Sequence, residues 1–477
     1  MRRALFVTLH FPPSRDIGAH ACEQIARYLP LYGWDPVVLT RPKHLIESAD
    51  PNYQRAFPGT IVEAGVLPHP ISIYRRLKNL LRRNRGGESP SSGPSGHLLP
   101  ASRGEGARDP SPACGRGYRG AAGEGRIRRW ILSLLHTPDI YTGWILPATV
   151  AGLQAIRRKQ ITHIISSGPF WTNHLVGLIL ARLTGVPWTA HYRDPWNQVP
   201  QTKPVSAMSA GIERWLEDLV ISRADSVVCV TDTHASLLRK IFPDLPADKF
   251  VTIPNGFDGE EWEAFNVPQP TNAGRFVVTY PGTFMMGTRS PRPLFRALRE
   301  LIDAGDLNSN SLCVELFGTC DVAEGMRVSE MAAQYGLQEC VQIDPPLSRP
   351  DTLRRMLSSD LLLLLAEGWA LQIPGKTYEY LRAGRPILAL TSDGALANLL
   401  RQTGGSWICD PADHSAIVGA IREAHGAWMT GQTARRADAV LVADFDRRRL
   451  AGRFASLFNG HLSLSAGPAV SWQNSTL

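Results

Sequence analysis

Lys376 and Glu379 stand three apart in the run Ile373-Pro374-Gly375-Lys376-Thr377-Tyr378-Glu379. A turn built on Pro374 and Gly375 feeds straight into a short helix. The unpaired N–H groups of its first turn, the positive end of its dipole and the Lys376 charge therefore converge on one spot. An anion is stabilised there. Glu379, one turn on, can face the same side and accept hydrogen bonds from hydroxyls. Phosphate together with hydroxyls describes a nucleotide. The plainer alternative is a solvated Lys376–Glu379 ion pair on a surface helix. From these two residues alone both readings stand.

The neighbouring sequence supplies the elements that position this helix. Leu361 to Leu365 is an apolar run of strand length, and Pro386 to Leu390 is a second. Gly384 falls where a left-handed C-cap belongs, and Pro386 blocks further helix. The same alternation opens the chain: a strand at Ala4 to Thr8, a loop with Pro12, Pro13 and Gly18, a helix whose apolar face includes Ile25 and Leu29, and a strand at Asp35 to Thr40. Further on come a strand at His163 to Ser167, a helix at His174 to Leu183 and a strand at Pro187 to Tyr192. Helices at Glu213 to Ser222 and Thr233 to Phe242 flank a strand at Ala224 to Val230, and Phe250 to Ile253 follows. A second series runs through a strand at Phe276 to Tyr280, a helix at Leu294 to Ile302, a strand at Leu312 to Phe317, a helix at Glu324 to Tyr335 and a strand at Cys340 to Ile343. After Leu390 come Ser406 to Cys409, a helix from Ser415 and a basic helix at Phe445 to Phe458.

Such a pattern predicts an α/β protein with parallel sheets, in which ligands bind at the C-terminal ends of strands. Gly18 and the pair Arg193-Asp194 occupy such ends. No G-x-G-x-x-G follows the first strand, so a dinucleotide-binding dehydrogenase loses support. Arg193 stays protonated and cannot act as a base; in a site it binds phosphate or hydroxyls, leaving Asp194 as the titratable candidate. The alternative is an Arg193–Asp194 pair that merely holds the loop.

At 477 residues the chain exceeds one ordinary core, and two domains are expected. With 43% hydrophobic and 20% charged residues it is globular in composition. No apolar run approaches the roughly 20 residues of a membrane span, and the short one at the start reads as a strand rather than a leader, which suggests a cytoplasmic protein. Seven cysteines, none in a C-x-x-C pair, indicate neither a disulfide framework nor a zinc site. The formal charge of +8 permits an anionic partner. Much of it sits in two basic amphipathic stripes, 71–85 and 126–136, which either contact an anionic membrane or pack on the N-terminal sheet. Between them, residues 86–125 hold eleven Gly and five Pro and are expected to be disordered. No recognised RNA motif accompanies the arginines, and no nucleic-acid partner is expected.

The run PGKTYEYLRAGRPIL resembles the donor-binding segment of family 4 (group 1) retaining glycosyltransferases, which have the GT-B fold. A glutamate five residues before the glycine of a G-x-P motif is matched by Glu379, Gly384 and Pro386. Gly33-Trp34 with Val38-Leu39-Thr40 and the turn Pro254-Asn255-Gly256-Phe257-Asp258 also resemble the family, and the segments Ser167-Gly168-Pro169 to His174 and Gly185 to Trp196 are similar to a bacterial branch of it that decorates surface polysaccharides or lipid-linked sugars. Two positions depart from the family. Leu371 stands where the first glutamate of an E-x7-E pair is usual, and Arg193 where a histidine is commoner.

The resemblance implies two Rossmann-like domains facing across a cleft. These are an acceptor domain at 1–262 carrying the 86–125 insertion, a donor domain at 263–435, a helix at 436–460 crossing back, and a tail at 461–477. It implies donor contacts from Gly18, Gly282, Thr283, Arg289, Gly375, Lys376, Thr377 and Glu379, with Arg193, Asp194, Arg289 and Lys376 acting in transfer. Neither a metal nor a cofactor is expected; the nucleoside diphosphate sugar is a co-substrate. The implied activity is hexosyl transfer to a glycan or lipid-linked acceptor, in the cytoplasm or at the inner face of the plasma membrane. A nucleotide-sugar epimerase on the same fold and a non-catalytic scaffolding protein are the rival readings.

Overall fold

The computed structural model describes residues 1–14, 17–46, 49–50, 53, 55–68, 137–198, 206–263, 265, 274–284 and 289–460. The stripes 71–85 and 126–136, the 86–125 insertion and the 461–477 tail lie outside the described residues. By its contacts the chain divides into two compact units, Met1–Val227 and Val228–Leu477.

The first sheet contains β1 (Arg2–Val7), β2 (Trp34–Thr40), β3 (Thr60–Glu63), β4 (His163–Gly168), β5 (Trp188–Tyr192), β6 (Ser226–Cys229) and β7 (Phe250–Thr252), in the order β3-β2-β1-β4-β5-β6-β7. The division into units falls within β6. The central pairs are parallel, with Leu5 beside Val37 on one side and Ile164 on the other. Parallel strands covered on both faces need apolar residues throughout. Ala4, Leu5, Phe6 and Val7 accordingly are all buried.

The second sheet contains β8 (Phe276–Thr283), β9 (Leu312–Thr319), β12 (Val341–Asp344), β13 (Leu361–Leu365), β14 (Ile387–Leu390) and β15 (Ser406–Cys409), in the order β12-β9-β8-β13-β14-β15. The short β10 (Val322–Ala323) and β11 (Met326–Arg327) form a separate hairpin. Within β13, Leu361, Leu363 and Leu365 enter one core, with Phe276, Val278 and Phe295. Leu362 and Leu364 enter the other, with Tyr378, Tyr380 and Leu381 from the helix Lys376–Ala383. Period-two alternation thus splits a run of five leucines between two layers. Both sheets are wound alike, outward from a first strand that lies beside the fourth, the doubly wound arrangement.

Several elements differ from expectation. The helix expected from Glu324 begins at Val328, because Glu324 (φ 52°) and Gly325 (φ 78°) are left-handed and turn the chain into the β10–β11 hairpin. The helices Ile145–Lys159, Arg349–Ser358 and Ala395–Thr403 and the strand β3 were not anticipated. Gly384 ends its helix at φ 67°, as its position after the last apolar residue suggested. Among the described residues six cysteines are buried, and no helix is long and apolar enough to cross a membrane.

Candidate functional site

In the second unit the winding reverses between β8 and β13, and crevices at such points bind ligands. Lys376 reaches back from its helix to the end of β8. Its Nζ donates to the Pro281 carbonyl at 3.2 Å and lies 3.8 Å from the centroid of the Tyr280 ring. Gly282 makes the approach feasible, since a Cβ there would stand 2.7 Å from Nζ. The Tyr280 hydroxyl donates to the Thr283 carbonyl at 3.1 Å, and Thr283 itself is exposed.

Arg289 lies over the Trp369 ring at 5.5 Å. The Arg289 Nε, the Trp369 Nε1 and the Thr377 Oγ1 are buried without a partner. Gly375 is exposed at the helix start, with open space where a Cβ would be. Burial, then the Arg289 charge, hold the Lys376 ammonium well below its usual range, with Cys320 and Glu379 offsetting only in part. An ammonium depressed by burial and by a neighbouring guanidinium, beside helix N–H groups with no side-chain cap, makes a place where an anion relieves an existing penalty. A shallow, open recess adjoins this region at the ends of β13 and β14, lined by Ser290, Pro293, Glu367 and Pro411 among others.

The solvated Lys376–Glu379 pair does not form. Glu379 Oε1 instead accepts from Arg349 Nη2 at 2.7 Å. The same guanidinium grips Glu261 Oε2 through Nη2 at 2.8 Å and Nε at 3.0 Å. Against burial, which would lower it, the charges of Glu379 and Glu261 hold Arg349 above its ordinary range. Arg349 escaped the sequence reading, although Ser348-Arg349-Pro350-Asp351 is a helix-start signal: Ser348 caps the Asp351 N–H and Pro350 occupies the first turn.

In the first unit the reversal falls between β1 and β4. A Cβ on Gly18 would come within 2.0 Å of Arg193 Nη1, so the space over Gly18 is taken by the Arg193 guanidinium. Arg193 Nη2 donates to the Pro169 carbonyl at 2.6 Å, while its Nε is buried without a partner. Asp194 is half-buried beside it. The structure thus joins Gly18 to Arg193, and separately Gly282 to Lys376.

Around Arg193, Trp171 and Trp196 stack at 4.8 Å, and His174 stacks on Tyr192 at 4.8 Å. Trp188 Nε1 donates to Ser166 Oγ at 2.8 Å, and that hydroxyl meets His174 Nδ1 at 2.8 Å. Burial, then the Arg193 charge, push His174 down to about 3, so it is neutral.

Two carboxyls were missed by the sequence reading. Glu217 is buried, accepts from Asn197 Nδ2 at 2.7 Å and Gln198 Nε2 at 3.0 Å, and is pushed up to about 7 by burial. Glu213 is raised to about 7 by burial and then by Asp139. Asp139, itself raised by burial, accepts from Thr172 N at 2.9 Å and Thr172 Oγ1 at 2.7 Å at the start of the helix Thr172–Thr184. The spacing of Glu213, Glu217 and the buried Val220 on one helical face was the signal that could have found the pair. Among the described residues no group of three or more His, Cys, Asp or Glu is placed to hold a metal ion.

Two doubly wound parallel sheets of the same order define a GT-B architecture. Residues 18–256, half of the chain, match the family model described as "Glycosyl transferase 4-like domain", and the chain belongs to this family of glycosyltransferases. Among solved structures, sucrose-phosphate synthase from Thermosynechococcus elongatus is similar at 14% identity over 96% of this chain and 99% of that one, with a TM-score of 0.57. A glycosyltransferase from Rickettsia africae ESF-5 is similar at 13% identity over 97% and 99%, with a TM-score of 0.57. HepE from Anabaena, solved in complex with UDP-glucose, is similar at 14% identity over 96% and 100%, with a TM-score of 0.56. No curated protein sequence is a significant match.

Proposed function

We propose that this glycosyltransferase moves a hexose from a nucleoside diphosphate sugar to a glycan or lipid-linked acceptor, with retention, in the making of a cell-surface polysaccharide or glycoconjugate. The observation that carries the reading is the Lys376 ammonium, half-enclosed against Tyr280 and Pro281 at a helix start and depressed by burial and then by Arg289. A diphosphate satisfies both cations and the helix N–H groups, so no metal is assigned a role. HepE shares the fold and is seen with UDP-glucose, which supports a nucleotide sugar as donor.

In this reading Gly375, Thr377 and the Gly282-Thr283 strand end surround the diphosphate, and Glu379 takes the ribose hydroxyls. Arg289 and Lys376 stabilise charge that grows on the leaving phosphate, an effect exerted in the transition state. Gly18 is a donor contact from the first unit, and Arg193 and Asp194 act at the reacting centre. No side-chain nucleophile is assigned. The enzyme works in the cytoplasm, meeting a lipid-linked acceptor at the inner face of the membrane.

The test is calorimetric titration of the purified protein with UDP, GDP, ADP and their sugars, alongside Lys376→Ala and Arg289→Ala. Saturable binding weakened by about tenfold or more in both variants is expected for lost charge-assisted contacts. Absence of binding across the panel would replace the enzyme by the scaffolding reading. Donor consumed without acceptor would favour an epimerase.

A further inference from the structure

We infer that Arg349 is a positioning residue for donor recognition, fixing the Glu379 carboxylate so that one oxygen is turned to the ligand; this rests on the reading of Glu379 as the residue that takes the ribose hydroxyls. Three helices meet at this guanidinium: Gly259–Glu263 through Glu261, Arg349–Ser358 at its own first residue, and Lys376–Ala383 through Glu379. Arg349 spends Nε and Nη2 on Glu261 and shares Nη2 with Glu379 Oε1. Among the described residues Glu379 Oε2 takes no part in this clamp, and it remains available as an acceptor.

The geometry matters more than the charge. Side-chain exposures of 41% for Arg349 and 23% for Glu379 mean that solvent screens the pair, so it adds little to folding. A planar fork, however, restricts where a carboxylate can point, which an ammonium does not. Ser348 and Pro350 fix the backbone from which the fork projects, and Glu261 holds its other edge. Glu379 is thereby set in one orientation before any ligand arrives, and less conformational freedom is lost on binding.

The proposal is tested with wild type, Arg349→Gln and Arg349→Lys, titrated with whichever of UDP, GDP or ADP the wild type binds and with its 2′,3′-dideoxy counterpart. The wild type is expected to prefer the ribo form by about tenfold, the scale of hydrogen bonds to a charged group. Arg349→Gln should lose most of that preference while binding the dideoxy form as the wild type does, and in turnover its donor KM should rise with kcat unchanged. Arg349→Lys keeps the charge without the fork and should lose the preference too, which covers the case in which the Gln variant does not fold. Retention of the full preference, or equal weakening toward both ligands, would overturn the positioning role while leaving the donor site intact. A wild type that binds no nucleoside diphosphate, or does not distinguish the two forms, overturns the reading of the site itself.

Discussion

Lys376 is a cation kept where ionisation is unfavourable, and that has a measurable consequence. Burial and Arg289 lower its proton affinity in the free chain, and an arriving diphosphate restores it. Nucleotide binding should therefore take up protons, and affinity should fall as pH rises through the depressed range. Titrations in two buffers of different ionisation enthalpy check this, and the buffer dependence should vanish in Lys376→Met. Gly18→Ala makes a different point. The clash is with the flexible end of Arg193, so folding should be nearly unchanged while Arg193 is displaced. Melting temperature is expected to stay near wild type while transfer slows; an unaltered transfer rate would remove Arg193 from the site. At this scale Lys376, Glu379 and Arg193 were legible because each combined a chemical type with a strand end or helix start. Arg349 and Glu217 were not, since nothing local to a sequence says that an arginine will bridge two helices or that a helical glutamate faces inward.

Elements were legible where punctuation was strong. The stretch from Leu361 to Leu390 was read nearly as it folds, because a five-leucine strand, Pro374-Gly375 and Gly384 bound every piece. The helix at Val328–Gln334 was misplaced by four residues because Glu324 adopts a left-handed conformation that its type seldom takes. β3 is only half-buried, so it lacks the apolar run that marked the other strands. Two substitutions gauge these devices. Gly384→Ala places a Cβ in the left-handed region and should cost about 1 kcal/mol, and Ser348→Ala removes an N-cap for about 1 kcal/mol. Denaturant titration measures both, and in Ser348→Ala a shift in donor affinity larger than the stability loss would connect the cap to Arg349.

For the molecule as a whole, buried ionisable groups set how stability follows pH. Glu217 is held at about 7 against an ordinary 4.5, so its contribution is complete below about 4.5 and drains away as pH rises through about 7. His163 and His174, pushed to about 3 from 6.5, act in the opposite sense: their contribution is present above 6.5 and is lost as pH falls toward 3. The two trends mask one another in the wild type. The stability difference between wild type and Glu217→Gln isolates the first, and should fall by about 3 kcal/mol between about pH 4 and about pH 8. A flat difference would mean that Glu217 is ionised when folded. The winding of the sheets carries a consequence for synthesis. β1 is made first yet is central, and its partner β4 begins only at His163. At about 5–20 residues per second, β1 waits roughly 10–30 s on the ribosome with one edge unpaired. β8 repeats the situation while it awaits β13. Nascent chains halted before His163 should accordingly be cut readily by protease and engage chaperones, and those extended beyond Thr252 should resist.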